Sequence, residues 1–505
     1  MTTEETPLLA HQITPPPPSK HVLAAITSSW IATFLAAADT TITATLSSTI
    51  ASEFDSLSLL SWLGTAYLLG LTITQPLSGR LSDIFGRRAS FCFTCCMFTL
   101  GNVLCALAPS KGILIAARVI AGIGGGGCIS ISTFIISDNV TLESRGLWQG
   151  VASLVFTIGV GLGGVIGGAV SDGMGWRWAF GGIAPLSMIS CVLVGIFAER
   201  SDENRSQGVR ERLASVDFVG AGTLVVSLVL LLVGLNEGVR YGIAQQYMML
   251  STSILFFLLF LLTEWRWVTE PIIPLSLFRR RAVTLTCLAA SSLSSALYIL
   301  LYYVPLYMQT ILHHTASQTG LRMLPYSLGS GTGSLAIGLC IRRSNNKYTL
   351  FAYLTPLCMV IAAAGFALLI PEMHWVVSEV YLLFDGVGVG GGLTTLVVAL
   401  LSSVPHGMHA TATAALYAFR SVGATAGLAA AGAVMNVLLG GEGRDYRDGG
   451  RGGSGQGCAV TDPCYLRALH GAFWTATGFA SVALVCGFMI ESRSESGEEE
   501  EEEGI

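Results

Sequence analysis

Two acids and two arginines stand where water should be scarce. Asp39 lies in Leu35-Ala36-Ala37-Ala38-Asp39-Thr40-Thr41-Ile42, and Asp385 in Leu383-Phe384-Asp385-Gly386. Arg118 stands just ahead of Ala121-Gly122-Ile123-Gly124-Gly125-Gly126-Gly127, and Arg420 follows Ala418-Phe419. Each sits in an apolar stretch of the length a bilayer demands, about 20 residues. An ionisable side chain at that depth costs roughly 3 kcal/mol or more, so it normally faces a cavity or a partner. Burial disfavours the charged carboxylate, which brings protonation near neutral pH within reach. Such acids can exchange protons or hold a cationic substrate. Asp39 is the first candidate for either role, and a fixed helix–helix hydrogen bond is the alternative. Arg420 is the expected partner of Asp385, and both acids are expected to border a water-accessible passage.

The elements that must position these residues are membrane helices. The chain of 505 residues is 52% hydrophobic and only 12% charged, with a mean hydropathy of +0.64. A soluble domain carries about 25% charge. Fourteen apolar spans are expected, at about 22–50, 59–78, 89–108, 112–137, 147–170, 177–198, 217–235, 245–265, 282–308, 318–340, 349–370, 376–402, 409–439 and 470–490. Alternate connectors hold fifteen Lys and Arg on one side and seven on the other. That bias places both termini in the cytosol. No basic stripe exists outside the short connectors, so nucleic acid is not an expected partner.

The ten residues Gly79-Arg80-Leu81-Ser82-Asp83-Ile84-Phe85-Gly86-Arg87-Arg88 join the second and third spans. The expected arrangement is a short cytosolic turn fixed by its arginines, with Asp83 paired inside the turn or with a facing helix end. Asp138, Glu143 and Arg145, after the fourth span, could pair with it as a gate. The pattern resembles the Gly-x-Leu-x-Asp-x-x-Gly-Arg-Arg signature of the major facilitator superfamily and matches every fixed position. Asp-Thr-x-Ile around Asp39 resembles the first-helix signature of the fourteen-helix drug:proton antiporter branch. Arg118 and its glycines resemble the branch's basic fourth-helix motif, whose arginine is assigned to proton transfer, although Ala121 replaces its glutamine. Gly159, Gly163, Gly164, Gly167 and Gly168 resemble its fifth-helix signature, with Gly164 in place of proline. Small residues at this density let helices approach closely.

The resemblance implies an all-α membrane fold of two six-helix bundles plus two linker helices. The expected domains are a disordered cytosolic leader at 1–21, bundles at 22–198 and 282–490, a two-helix linker region at 199–281, and an acidic cytosolic tail at 491–505. Repeated halves around a shared midplane site are the general plan of secondary transporters. The ninth span carries Tyr298, Tyr302, Tyr303 and Tyr307; at spacing four these pairs suit a cavity wall or an interface anchor, with Tyr298 and Tyr302 the cavity candidates.

Other features are weaker. Gly122, Gly124 and Gly127 spell Gly-x-Gly-x-x-Gly, but no strand precedes them, so a dinucleotide site is not expected. Cys92, Cys95 and Cys96 have a metal-like spacing without nearby His or carboxylate, so packing is the expected role and no metal is called. Cys458 and Cys464 flank a polar segment on the non-cytosolic side, where a disulfide can persist. Glu4-Glu5-Thr6-Pro7-Leu8-Leu9 looks like an acidic dileucine signal, with Glu4, Leu8 and Leu9 read by a sorting adaptor. No P-loop, His-Glu-x-x-His or nucleophile elbow occurs, so neither an enzyme nor a cofactor is expected, and a proton gradient is the expected energy source.

Ser144-Arg145-Gly146-Leu147-Trp148-Gln149-Gly150, and the segment from Gln318-Thr319-Gly320-Leu321 through Leu324-Pro325 to Gly333-Ser334, look most like fungal vacuolar transporters of basic amino acids. The expected function is therefore proton-coupled antiport of amino acids, basic ones preferred, from cytosol to vacuole. A drug or toxin exporter of the plasma membrane is the nearest alternative, with an amino acid or drug-like cation as substrate. A membrane sensor that binds without translocating stays open as a third.

Overall fold

The structure is a computed structural model, and it describes residues 20–56, 59–140, 142–198, 218–241, 243–266, 275–343, 348–369, 375–404, 408–448 and 463–502. The proposed sorting signal at Glu4, Leu8 and Leu9 lies outside these residues, as does Cys458. Cys464 is disulfide-bonded.

The described chain is helical. The first half comprises α1 (Lys20–Glu53), α2 (Leu59–Phe85), α3 (Arg87–Ala106), α4 (Lys111–Asn139), α5 (Leu142–Met174) and α6 (Trp176–Phe197). Then come α7 (Phe218–Tyr241) and α8 (Ile243–Arg266). The second half comprises α9 (Arg281–Thr310), a short helix Ala316–Arg322, α10 (Leu324–Arg343), α11 (Thr349–Ala367), α12 (Trp375–Ser402), α13 (His409–Asp448) and α14 (Pro463–Glu502). Among the described residues, eleven helices are long and apolar enough to cross a membrane. In α7 the apolar stretch is the shorter Gly222–Leu235.

Three boundaries differ from the sequence reading. The link between α2 and α3 is not a ten-residue turn. The α2 helix continues through Phe85, and Gly86 alone reverses the chain, at φ +86°. Only glycine takes that backbone conformation without steric cost. The expected tenth span is broken at Met323, because Pro325 cannot donate a backbone hydrogen bond and fits only the first turn of a new helix. Finally, α13 and α14 run past the expected membrane ends, to Asp448 and Glu502, since extending a formed helix costs little.

Each half closes on small residues. A Cβ at Gly122 of α4 would lie 2.1 Å from the Tyr67 carbonyl of α2, and one at Gly386 of α12 would lie 2.1 Å from the Tyr326 carbonyl of α10. Helices this close gain dispersion contacts that lipid tails cannot supply. The α7–α8 pair is held by reciprocal bonds, Ser227 Oγ donating to Ser253 O (2.9 Å) and Ser253 Oγ to Ser227 O (2.8 Å). Leu224, Leu228 and Leu232 of α7 bury their side chains with Leu69 of α2 and Ala415 and Ala418 of α13. The extra helices therefore cover one seam between the halves.

Candidate functional site

The site begins with α1 and α4. Ala36, Ala37 and Ala38 leave room for α4 and α5 to approach Asp39, and the α4 glycines bring Arg118 within reach. Arg118 Nη1 donates to Asp39 Oδ2 at 2.7 Å, and both side chains are 0% exposed. Arg118 Nε also donates to the Leu63 carbonyl at 3.3 Å. The guanidinium lies 4.5 Å from the Tyr67 ring centroid and 5.6 Å from that of Phe180, which suits cation–π attraction. Tyr67 is fixed in turn by donating to the Ala36 carbonyl at 3.1 Å. Asp39 Oδ1 has no hydrogen-bond partner among the described residues.

The pair thus satisfies one carboxylate oxygen and leaves the other bare. Two opposite charges buried together repay their desolvation only with good geometry and further hydrogen bonds. Here the arrangement also corrects an expectation. Asp39 does not stand free to hold a cationic substrate, because Arg118 occupies it.

The second acid is buried differently. Asp385 of α12 is 2% exposed, and its Oδ1 has no hydrogen-bond partner among the described residues. The expected Asp385–Arg420 pair does not form. Arg420 of α13 instead lies over the Tyr417 ring at 5.1 Å, with its Nε unpaired. A ring one turn away on the same helix reaches the guanidinium more readily than a carboxylate on another helix. Tyr326 of α10 lies within electrostatic reach of both Asp385 and Arg420.

Buried tyrosines of the second half lie near both sites. Tyr302 of α9 lies within electrostatic reach of Asp39 and Arg118 and packs over α2, where a Cβ on Gly64 would meet its ring at 2.7 Å. Tyr298, one turn earlier on the same helix, lies within reach of Arg420. Tyr303 and Tyr307 face the other way, with Tyr307 against Phe473 of α14. The spacing-four pairs therefore divide between the interface and the second half's own core.

A cavity of about 10 Å³ separates the halves nearby. It is lined by Thr41, Thr45, Gly164, Pro305, Tyr326 and Ser327, among others. That volume is at the lower limit for one water. Neither Tyr298 nor Tyr302 lines it, and neither Asp39 nor Asp385 does. Asp39 and Asp385 are 0% and 2% exposed, so neither borders water in this arrangement. The physical reason is the fill: Arg118 plugs the space beside Asp39, and Tyr302 wedges against Gly64.

The α5 glycines use two faces. Gly159, Gly163 and Gly167 back onto α1, where added Cβ atoms would meet Phe34 O at 2.5 Å, Ala38 O at 2.5 Å and Ile42 Cγ1 at 2.9 Å. Gly168 backs onto the second half, where a Cβ would lie 2.4 Å from Ala316 O, and one on Gly164 would sit between Thr45 of α1 (3.1 Å) and Gly320 of the second half (3.5 Å). With Gly164 in place of proline, the short helix approaches α5 backbone to backbone.

At the end the basic connectors mark as cytosolic, Arg87 organises the signature. It pairs with Asp83 at 2.6 Å and with Asp138, at the end of α4, at 2.8 Å. It also donates to Ser82 and lies 5.1 Å from the Phe134 ring centroid. Gly79 opens toward the same ring, whose Cζ a Cβ there would meet at 3.7 Å. Arg88 heads α3 beside Arg87. The side chains of Arg80, Glu143 and Arg145 lie outside the described residues. Since Asp83 and Asp138 are half exposed, Arg87→Gln is expected to cost only about 1 kcal/mol of stability. The loss should shrink in high salt, as thermal unfolding at two ionic strengths would show.

The sequence reading missed Tyr67, Tyr326 and Gln309. Gln309 of α9 donates to the Thr45 carbonyl of α1 at 2.6 Å and accepts from Ser48, so it ties the halves together. Its position near the end of a long apolar span was the available signal.

The family model for the Major Facilitator Superfamily matches residues 29–428. The chain belongs to the Major Facilitator Superfamily. It is 34% identical over 408 residues to the multidrug resistance protein fnx1 of Schizosaccharomyces pombe, covering 79% of this chain and 76% of that protein. It is 31% identical over 416 residues to the vacuolar membrane amino acid uptake transporter fnx2 of the same organism, covering 80% and 70%. Among solved structures, an inward-facing, unoccupied bacterial homologue of the human lysosomal transporter Spinster aligns with a TM-score of 0.64 at 15% identity, over 94% of this chain and 98% of that one. The protein is thus an integral membrane transporter of the Major Facilitator Superfamily. That membership, and not an open passage, carries the conclusion.

Proposed function

We propose that this transporter is a proton-coupled antiporter that moves amino acids, preferably basic ones, from the cytosol into the vacuole. The observation that carries the coupling is the buried Asp39–Arg118 pair with one carboxylate oxygen left bare. A proton reaching that oxygen neutralises Asp39 and removes the Coulombic hold on Arg118. The pair then has two states of different charge, which is what coupling to a conformational change requires. The coupling reading needs a second arrangement of the halves in which water reaches Asp39.

Asp385 is the better candidate for a substrate cation. It has no ionic partner among the described residues, and Tyr326, which lines the cavity, packs its backbone against Gly386 beside it. The relative named for vacuolar amino acid uptake supports this substrate class and address. The relative named for multidrug resistance favours a second reading, efflux of drug-like cations at the plasma membrane.

Purified protein in liposomes separates the two readings. Under an imposed proton gradient, labelled arginine, lysine or histidine is expected to accumulate, and a drug-like cation is not. Accumulation of the drug alone would replace the first reading with the second.

A further inference from the structure

Asp172 is an acid near the end of α5, on the side opposite the Arg87 network. Its Oδ2 accepts a hydrogen bond from Ser317 N at 3.0 Å. The two residues belong to opposite halves. Ser317 is the second residue of the short helix Ala316–Arg322, whose start carries a capping box: Thr315 Oγ1 accepts from Gln318 N, and Gln318 Oε1 accepts from Thr315 N. The box satisfies the donors on either side of the first turn and leaves the Ser317 N–H without a partner inside the helix. Asp172 supplies that partner from the other half, through a charge-assisted bond.

The surroundings make this contact tight. A Cβ on Gly320 would lie 2.2 Å from Gly164 O, and one on Gly168 would lie 2.4 Å from Ala316 O, so two backbones touch across the seam. Gln309 bonds the Thr45 carbonyl at the same end. Toward the cytosolic end the approach of α5 is looser, with a Cβ on Gly331 only reaching Thr157 at 3.8 Å.

We propose that Asp172 is a positioning residue for transport: its bond to Ser317 latches the two halves at the non-cytosolic end, and breaking that bond is a step in opening the passage to that side. The bond itself stands on geometry. The opening step rests on the transporter reading but not on any substrate or on protons.

The test is accessibility rather than flux, so a wrong substrate assignment leaves it intact. Thr45 lines the cavity and is buried behind the latch. In full-length protein in liposomes carrying Thr45→Cys, a membrane-impermeant maleimide is supplied from the non-cytosolic side. The parent without Thr45→Cys gives the background from native thiols. Asp172→Ala is expected to label about threefold faster, because an exposed hydrogen bond to a charged group is lost from the closed state alone. Asp172→Asn keeps an acceptor oxygen and is expected to stay near the Asp172 rate. Ser317→Pro removes the donor instead and is expected to raise labelling as Asp172→Ala does, so the idea remains testable if one variant is not recovered folded. Reagent on the cytosolic side is expected to show no rise. Equal labelling with and without the latch, or a rise from both sides alike, would overturn the proposal.

Discussion

Replacing Arg118 with methionine is expected to destabilise the protein by about 3–5 kcal/mol, the largest single-residue loss in the first half. The reason is not the worth of the ion pair itself. Both side chains are 0% exposed, so removing the guanidinium strands an unpaired carboxylate in a buried site. Tyr67 and Phe180 also lose the cation over their rings. The double variant Asp39→Asn with Arg118→Met removes both charges and is expected to recover most of the loss. Thermal unfolding of the three variants in detergent checks this. If the single and double variants unfold at the same temperature, the pair is not an isolated buried couple.

The second large effect is on transport. Asp39→Asn keeps an oxygen that accepts from Arg118 but has no titrating proton and no charge. Uptake driven by an imposed proton gradient is expected to fall to background. Exchange of labelled for unlabelled substrate, with no gradient, is expected to persist, since it needs only the moving halves. Full gradient-driven uptake in this variant would falsify the role given to Asp39. Asp385→Asn offers the contrast: loss of cationic substrate in both assays, because the anchor and not the coupling is removed.

How much of this was legible in the sequence follows from what each signal depends on. The signature around Asp83 and Arg87 is local, and its pairing lies within one turn plus the facing end of α4. It was readable, although the extension of α2 through Phe85 was hidden by the charges that suggested a loop. Asp39 and Arg118 were each readable as costly residues in apolar runs. Their mutual pairing was not, because it depends on how the α4 glycines seat that helix against α2. The Asp385–Arg420 pair failed for the same reason: proximity of two spans does not fix which faces meet. Asp172 and Gln309 escaped notice because polar residues near span ends look like ordinary interfacial side chains. Only the meeting of α5 with the short helix, and of α9 with α1, gives them a role.

The most direct measurement is of protons themselves. Liposomes holding the protein and a pH-sensitive dye, with no other gradient, are given a basic amino acid on one side. Proton movement in the direction opposite to the amino acid, in fixed proportion to it and abolished by Asp39→Asn, is the expected result. Amino acid entry with no change in internal pH would contradict the account.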